Sequence, residues 1–234
     1  IPCTATFGTE PYSEQPLMPT KKIEGLRSDG TLHMDHKLVI HKPIPKEGKL
    51  HLEKVISAVY DRGEGKGAKI NVDIIAKDGA GEPVFTNTMG YLNRWAGGFG
   101  GPKVPHSSVV IPEREADYQI KDAYPENVPL LYRLTGDTYP LHADPAFAKK
   151  AGFDRPIVHG LCSLGYACRM MIGALFPGEP ERMVSIENQF RAVALPGDHF
   201  TLCVWKTGEN EALFRMVKDS DGKAILDYGR MTWK

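Results

Sequence analysis

The chain has 234 residues, and its 29 Lys plus Arg balance 29 Asp plus Glu. That neutrality excludes the basic footprint of a nucleic-acid binder and the polybasic run of a membrane-surface protein, while the length suffices for a substantial core. A small molecule is therefore the expected partner. No apolar run approaches the ~20 residues of a bilayer span, no charged-then-apolar signal peptide opens the sequence, and the final MTWK is not an SKL-type address. Because the sequence starts at Ile1 without a methionine, it is read as a fragment or an incomplete chain, with targeting information outside it.

From His36 onward, β-rich runs with turn punctuation predict an antiparallel meander: HKLVIHKPIP, KLHLEKVISAVY, AKINVDIIAKD and EPVFTNTMGYL, with GEGKG and DGAGEP as turns. GGFGGP at 97–102 closes this first unit, 1–102. A stretch of prolines and charges without a sustained period, 103–128, reads as a linker to a second unit, 129–234. There Asp144 as N-cap, Pro145 at the first helical position and Gly152 at C′ predict a short helix, PAFAKKA. Leu161, Leu164, Cys168, Met171, Ile172 and Leu175 recur at helical spacing from Gly160 until FPG, predicting a longer helix with one buried face. Strand-like runs follow: MVSIENQFRAV, HFTLCVWKTG with EALFRMVKD, and KAILDYGRMTW. A faint internal echo, anchored at Gly48 and Gly197, aligns GKLHLEKVISAV and its successors with GDHFTLCVWKTG and its successors. Two copies of a helix-on-sheet unit would account for it, although residues 1–32 show no helix to match the second copy. Cys3, Cys162, Cys168 and Cys203 lack CxxC spacing and are expected as buried free thiols.

In GDTYPLH, a carboxylate, Asp137, precedes an imidazole, His142, by five residues, with Gly136 to relax the backbone and Pro140 to stiffen it. Facing one cavity, they could share a water and move its protons, because histidine titrates near neutrality and a buried aspartate is tuned upward. Facing apart, they are loop residues that cap or solvate a turn. His142 with Asp144 has no third ligand at a familiar spacing, so no metal is expected. In VHGL, Gly160 opens the long helix, where its free N–H and the helix dipole suit a thioester oxygen gaining negative charge. A glycine needed only for a tight turn is the other reading.

The segment YRLTGDTYPLHADPAFAKKAGFDRPIVHGL resembles the hydratase 2 motif of MaoC-like proteins, whose core is G-D-x-N-P-L-H, in the form carried by the hydratase 2 domain of the eukaryotic peroxisomal multifunctional enzyme of β-oxidation. HKPIPKEGKLHLEKVISAVYDRGEGKG, GGFGGP and FRAVALPGD resemble further segments of that domain in the same order, so the match spans nearly everything after about residue 30. The resemblance implies an α+β double hot-dog fold: two antiparallel sheets, the C-terminal one wrapped on the long helix, and an N-terminal half, on the acyl-chain side, that lacks its own helix. It implies a (3R)-specific 2-enoyl-CoA hydratase of fatty acid β-oxidation, with catalytic Asp137, His142 and Gly160. His33, Arg62 and Phe190 match positions that line the bound acyl-CoA, and Thr138, Tyr139, Pro140 and Leu141 join them as substrate-binding residues. Two substitutions depart from the family: Tyr139 replaces the motif asparagine, and Met34 replaces a glycine in a ligand-contacting His-Gly pair. No cofactor is implied, because CoA belongs to the substrate. The implied setting is a homodimer without nucleic-acid or membrane partners, peroxisomal in a eukaryote and otherwise cytoplasmic. Two alternatives stand beside the hydratase: a MaoC-like dehydratase acting on carrier-protein-bound chains, and an inactive acyl-CoA-binding hot-dog protein.

Overall fold

The structure, a computed structural model, describes residues 31–234. The expected lack of a helix within 1–32, and Cys3, thus concern a stretch outside the described residues, except that Thr31 and Leu32 already belong to the first strand. The chain divides into two compact units, which meet in sequence between Ser108 and Val109.

The first unit is an antiparallel sheet of β1 (Thr31–Ile40), β2 (His51–Asp61), β3 (Ala68–Lys77) and β4 (Pro83–Asn93), in the order β2-β3-β4-β1. The third strand obeys the two-residue period of a pleat: Ala68, Ile70, Val72, Ile74 and Ala76 are buried, while Lys69, Asn71, Asp73, Ile75 and Lys77 are partly exposed. Ile70, Val72 and Ile74 pack with Met89 and Tyr91 of β4, and with partly buried Leu52 and Ile56 of β2. The sheet starts at Thr31 rather than His36, because β1 carries an irregularity between His33 and Asp35 that hides its alternation. Met34 sits in that bulge. HKPIP, read as part of a strand, leaves the sheet after Ile40, where its prolines provide no N–H for a ladder. At the β2–β3 turn, Asp61 accepts backbone N–H bonds from Gly63 (2.8 Å), Gly98 (2.8 Å) and Gly100 (2.7 Å), clamping the glycine-rich loop onto the hairpin.

The second unit contains β5 (Tyr118–Ala123), β6 (Met183–Phe190), β7 (His199–Lys206), β8 (Glu211–Lys218) and β9 (Ala224–Trp233), in the order β6-β9-β8-β7-β5. The echo in the sequence corresponds to matching strand orders, β2-β3-β4-β1 in one unit and β7-β8-β9-β6 in the other. Residues 103–128, read as a linker, instead include β5, paired with β7 along its length, because Tyr118–Ala123 completes the sheet edge. Of the three α-helices among the described residues, α1 (Val128–Tyr132) and α2 (Pro145–Lys150) are short, and α3 (Gly160–Leu175) packs on β6, β7 and β9. The N-cap of α2 is Asp144, whose carboxylate accepts from Ala146 N (2.8 Å) and Phe147 N (3.3 Å), and Gly152 beyond it has φ 91°.

The helix α3 spans the predicted range, but its buried face runs through Leu161, Leu164, Ala167, Met170 and Met171, with Cys168, Ile172 and Leu175 only partly covered. At its start Tyr124 Oη donates to Ser163 Oγ (2.8 Å) and its ring rests on Phe200. Met171 of the same helix is fully buried, and truncating such a side chain to alanine typically costs ~2–5 kcal/mol. Cys162 is buried, whereas Cys168 and Cys203 are partly exposed, and all three are free thiols. No helix among the described residues is long and apolar enough to cross a membrane.

Candidate active site

The motif loop is built by local backbone geometry. After α1 and a 3-10 turn at Arg133–Thr135, Gly136 adopts φ 122°, which a Cβ would oppose, and turns the chain so that Asp137 enters the unit. The Asp137 side chain accepts from Tyr139 N (3.2 Å), and Pro140 opens a second 3-10 turn, Pro140–His142, that returns His142 beside it. Across the loop lies the strand-like approach to α3, where Val158 N donates to Ala194 O (2.9 Å) in the ALPGD segment after β6.

Asp137 is 9% exposed, and burial pushes its carboxyl up to about 6, against the smaller opposing pulls of the Tyr139 N–H and the Arg133 charge. Burial acts oppositely on His142, lowering its imidazole to about 4, so the ring is neutral at neutral pH. Its Nδ1 lies 2.8 Å from Ile157 O. A carbonyl only accepts, so Nδ1 carries the proton and Nε2 keeps the lone pair.

A second imidazole, which the sequence reading passed over although it stands next to Gly160, completes the cluster. His159 is 1% exposed, N-caps α3, and stacks on His142 with ring centroids 3.7 Å apart and planes 22° apart. Its Nε2 lies 3.3 Å from the Asp137 main-chain oxygen, and burial together with the neighbouring His142 lowers it to about 3. The sequence signal that could have identified it is the dipeptide itself: a histidine at the N-cap of a helix whose first amide is free.

A carboxylate oxygen of Asp137 and one ring nitrogen from each of His142 and His159 lie within 4.8 Å of one another. This supplies the third group that sequence spacing did not, and by distance alone the trio could hold a cation. Stacked rings, however, point their in-plane lone pairs side by side, so chelation by both would require one ring to turn. The same spacing suits a water, whose two hydrogen bonds of ~2.8 Å span 4.8 Å at a near-tetrahedral angle.

Gly160 is the first residue of α3, so its N–H has no acceptor within the helix, whereas Cys162 N and Ser163 N both bond His159 O. A Cβ at Gly160 would meet the Phe190 ring at 3.0 Å, so a ring from the end of β6 covers this glycine. Tyr139 sets its ring edge-on to His142 (6.3 Å) and Phe147 (5.4 Å), and burial, then the Asp137 charge, raises its phenol. Leu141 and Pro140 are partly exposed in the same turn, and exposed Thr138 accepts from Arg133 through its carbonyl (3.2 Å).

Of the sequence-predicted residues, the second unit thus gathers Asp137, Thr138, Tyr139, Pro140, Leu141, His142, Gly160 and Phe190. His33, Met34 and Arg62 belong to the first unit. His33 packs its ring near Tyr91 (5.2 Å) and His36 (5.5 Å), and Arg62 is exposed at the β2–β3 turn.

Residues 107–226 match the model of the MaoC like domain, and residues 2–94 match that of the MFE-2 hydratase 2 N-terminal domain. A "Probable enoyl-CoA hydratase 2" from Dictyostelium discoideum is 35% identical over 213 residues, covering 88% of this chain and 72% of the relative. The "Peroxisomal multifunctional enzyme type 2" of Mus musculus is 35% identical over 198 residues, 83% of this chain and 26% of that enzyme's length. A solved "MaoC-like dehydratase from Phytophthora Capsici" superposes with a TM-score of 0.80 at 32% identity, covering 87% of this chain and 72% of that one. Antiparallel sheets with few helices match the hot-dog architecture, and a solved Mycobacterium tuberculosis protein described as a double hotdog fold superposes with a TM-score of 0.55 at 14% identity, covering 99% of this chain and 84% of that one. With family models matching both units and relatives at 35% identity across most of its length, the chain belongs to the MaoC-like hydratase 2 family of hydro-lyases.

Proposed function

We propose that the protein adds water reversibly to trans-2-enoyl-CoA, giving (3R)-3-hydroxyacyl-CoA, as a step of fatty acid β-oxidation. The observation that carries this reading is the carboxylate and imidazole within 4.8 Å, beside an N-terminal helix amide. The thioester carbonyl of the substrate accepts from Gly160 N–H, where the helix dipole favours growing negative charge. One water bridges the pair: His142 Nε2 accepts from one O–H and orients it, and Asp137 accepts from the other.

Asp137, at about 6, is the stronger base of the two, His142 lying at about 4, so the proton of the attacking water passes to the carboxylate. The O–H bond breaks as the oxygen bonds C3, and the π electrons shift to the thioester oxygen. Asp137 then returns its proton to C2 from the same face, which balances the addition. Thr138, Tyr139, Pro140, Leu141 and Phe190 of the second unit contact the acyl-CoA, as do His33, Met34 and Arg62 of the first, which receives the acyl chain. CoA is carried by the substrate, and no further cofactor enters the reaction. The protein is placed in the peroxisome of a eukaryotic cell, in line with the names of the relatives from Mus musculus and Arabidopsis thaliana, and is expected to act as a homodimer.

The test is hydration of crotonyl-CoA and a medium-chain enoyl-CoA, followed as loss of enoyl absorbance with chiral analysis of the product. A (3S) product, or none, overturns the reading. A relative named "3-hydroxyacyl-thioester dehydratase Y", 34% identical over 219 residues, favours dehydration of a 3-hydroxyacyl thioester as a second reading, in which the chain would ride on a carrier protein. Faster turnover of the carrier-bound thioester than of the CoA ester would establish it.

A further inference from the structure

We propose that His159 is a positioning residue: its ring braces His142, and its Nε2–H, donated to the Asp137 carbonyl, ties the motif loop to the helix that presents Gly160. The proposal rests on the hydratase reading for the identity of the water that the pair grips. Its physical content is the tautomer and orientation of His142.

Three observations meet in one side chain. The stack at 3.7 Å leaves the His142 ring little freedom to flip, and flipping would put the Cδ2 carbon where Nδ1 meets Ile157 O and the Cε1 carbon where Nε2 faces the water. The 3.3 Å contact to the Asp137 main chain requires His159 to carry its proton on Nε2, because a carbonyl only accepts. Its buried Nδ1 then takes no protein partner among the described residues, a cost tolerated in a ring held for another purpose. Finally, His159 is the N-cap of α3 and precedes Gly160, so one residue sets the spacing between the amide that holds the thioester oxygen and the pair that handles water. Tyr132 packs near the same imidazole, with centroids 4.8 Å apart, and completes the brace.

A purely structural histidine would support the fold without acting on the His142 tautomer, and this distinguishes the two roles. In protein labelled with ¹⁵N-histidine, ring nitrogen signals assigned with His142→Ala report that tautomer directly. His159→Leu removes both the stack and the donor, whereas His159→Phe keeps an aromatic face and removes the donor alone. Expected for His159→Leu, with unchanged circular dichroism, is a shift of His142 from the single Nδ1–H form to a mixture. Its kcat for crotonyl-CoA should fall by ~10²-fold, the size that misplacement by about an ångström produces, while KM stays within about threefold. His159→Phe should recover part of both losses. If the leucine variant does not fold, the phenylalanine variant carries the comparison against the parent. A His142 that keeps the single Nδ1–H form in every folded variant, or a kcat no lower than the parent's, overturns the proposal. A parent that hydrates no enoyl-CoA, alongside a His159→Leu variant that shows the tautomer shift, leaves the positioning role standing and removes the hydratase reading instead.

Discussion

Replacing Asp137 by asparagine should make the protein more stable while destroying its activity. The carboxyl has an ordinary value of 3.8 and is pushed to about 6 by burial. A raised acid binds its proton more readily folded than unfolded, so ionisation costs stability. That cost is absent below 3.8, grows as pH rises through 3.8 to about 6, and is constant above. The interval corresponds to about 3 kcal/mol at 1.36 kcal/mol per pH unit. Asparagine removes the charge and keeps the shape: Oδ1 still accepts from Tyr139 N, and the amide can donate toward His142. Urea unfolding at pH 7.5 should therefore show a gain approaching ~3 kcal/mol, with a midpoint higher by roughly 5–10 °C on heating, and the gain should vanish near pH 4. Turnover of crotonyl-CoA should fall at least ~10²-fold, and in the parent kcat/KM should rise with pH through about 6 as the base ionises. A variant no more stable than the parent at pH 7.5, or equally favoured at both pH values, refutes the claim that burial strains this carboxylate.

His142→Ala should cost at least ~10²-fold in kcat with acyl-CoA binding retained by calorimetry, because the thioester contact belongs to Gly160. Gly160→Ala puts a methyl 3.0 Å from the Phe190 ring and should lower kcat/KM about tenfold, with Phe190→Leu in the same chain restoring most of it if the clash is the cause. Tyr139→Asn should preserve or raise the hydration rate, since it returns an amide to the turn; a loss would give the phenol a role of its own. Asp61→Asn should speed amide exchange at Gly98 and Gly100, because an amide oxygen cannot replace both carboxylate acceptors. Those backbone donors, led by Gly63, hold the Asp61 carboxyl below its ordinary value, so the parent should show the same loosening as pH falls through that lowered value.

Much of this protein is legible along one dimension. The β3 alternation, the Asp144 cap of α2 and the limits of α3 are local, because the pleat, the cap and the helical period each involve residues a few positions apart. The motif GDTYPLH and the glycine opening α3 are local too, and a resemblance read from those letters leads to the family. Tertiary structure decided what depends on distant partners. Tyr118–Ala123 alternates only from Tyr118 to Lys121, too briefly to stand out in the sequence, and its pairing along β7 makes it a strand. The displacement of Asp137 and His142 to about 6 and about 4 comes from burial by chain far from either, which no spacing records. His159 lies seventeen positions from His142 by their numbers, with a helix and a turn between, and only the folding of those elements sets one imidazole on the other.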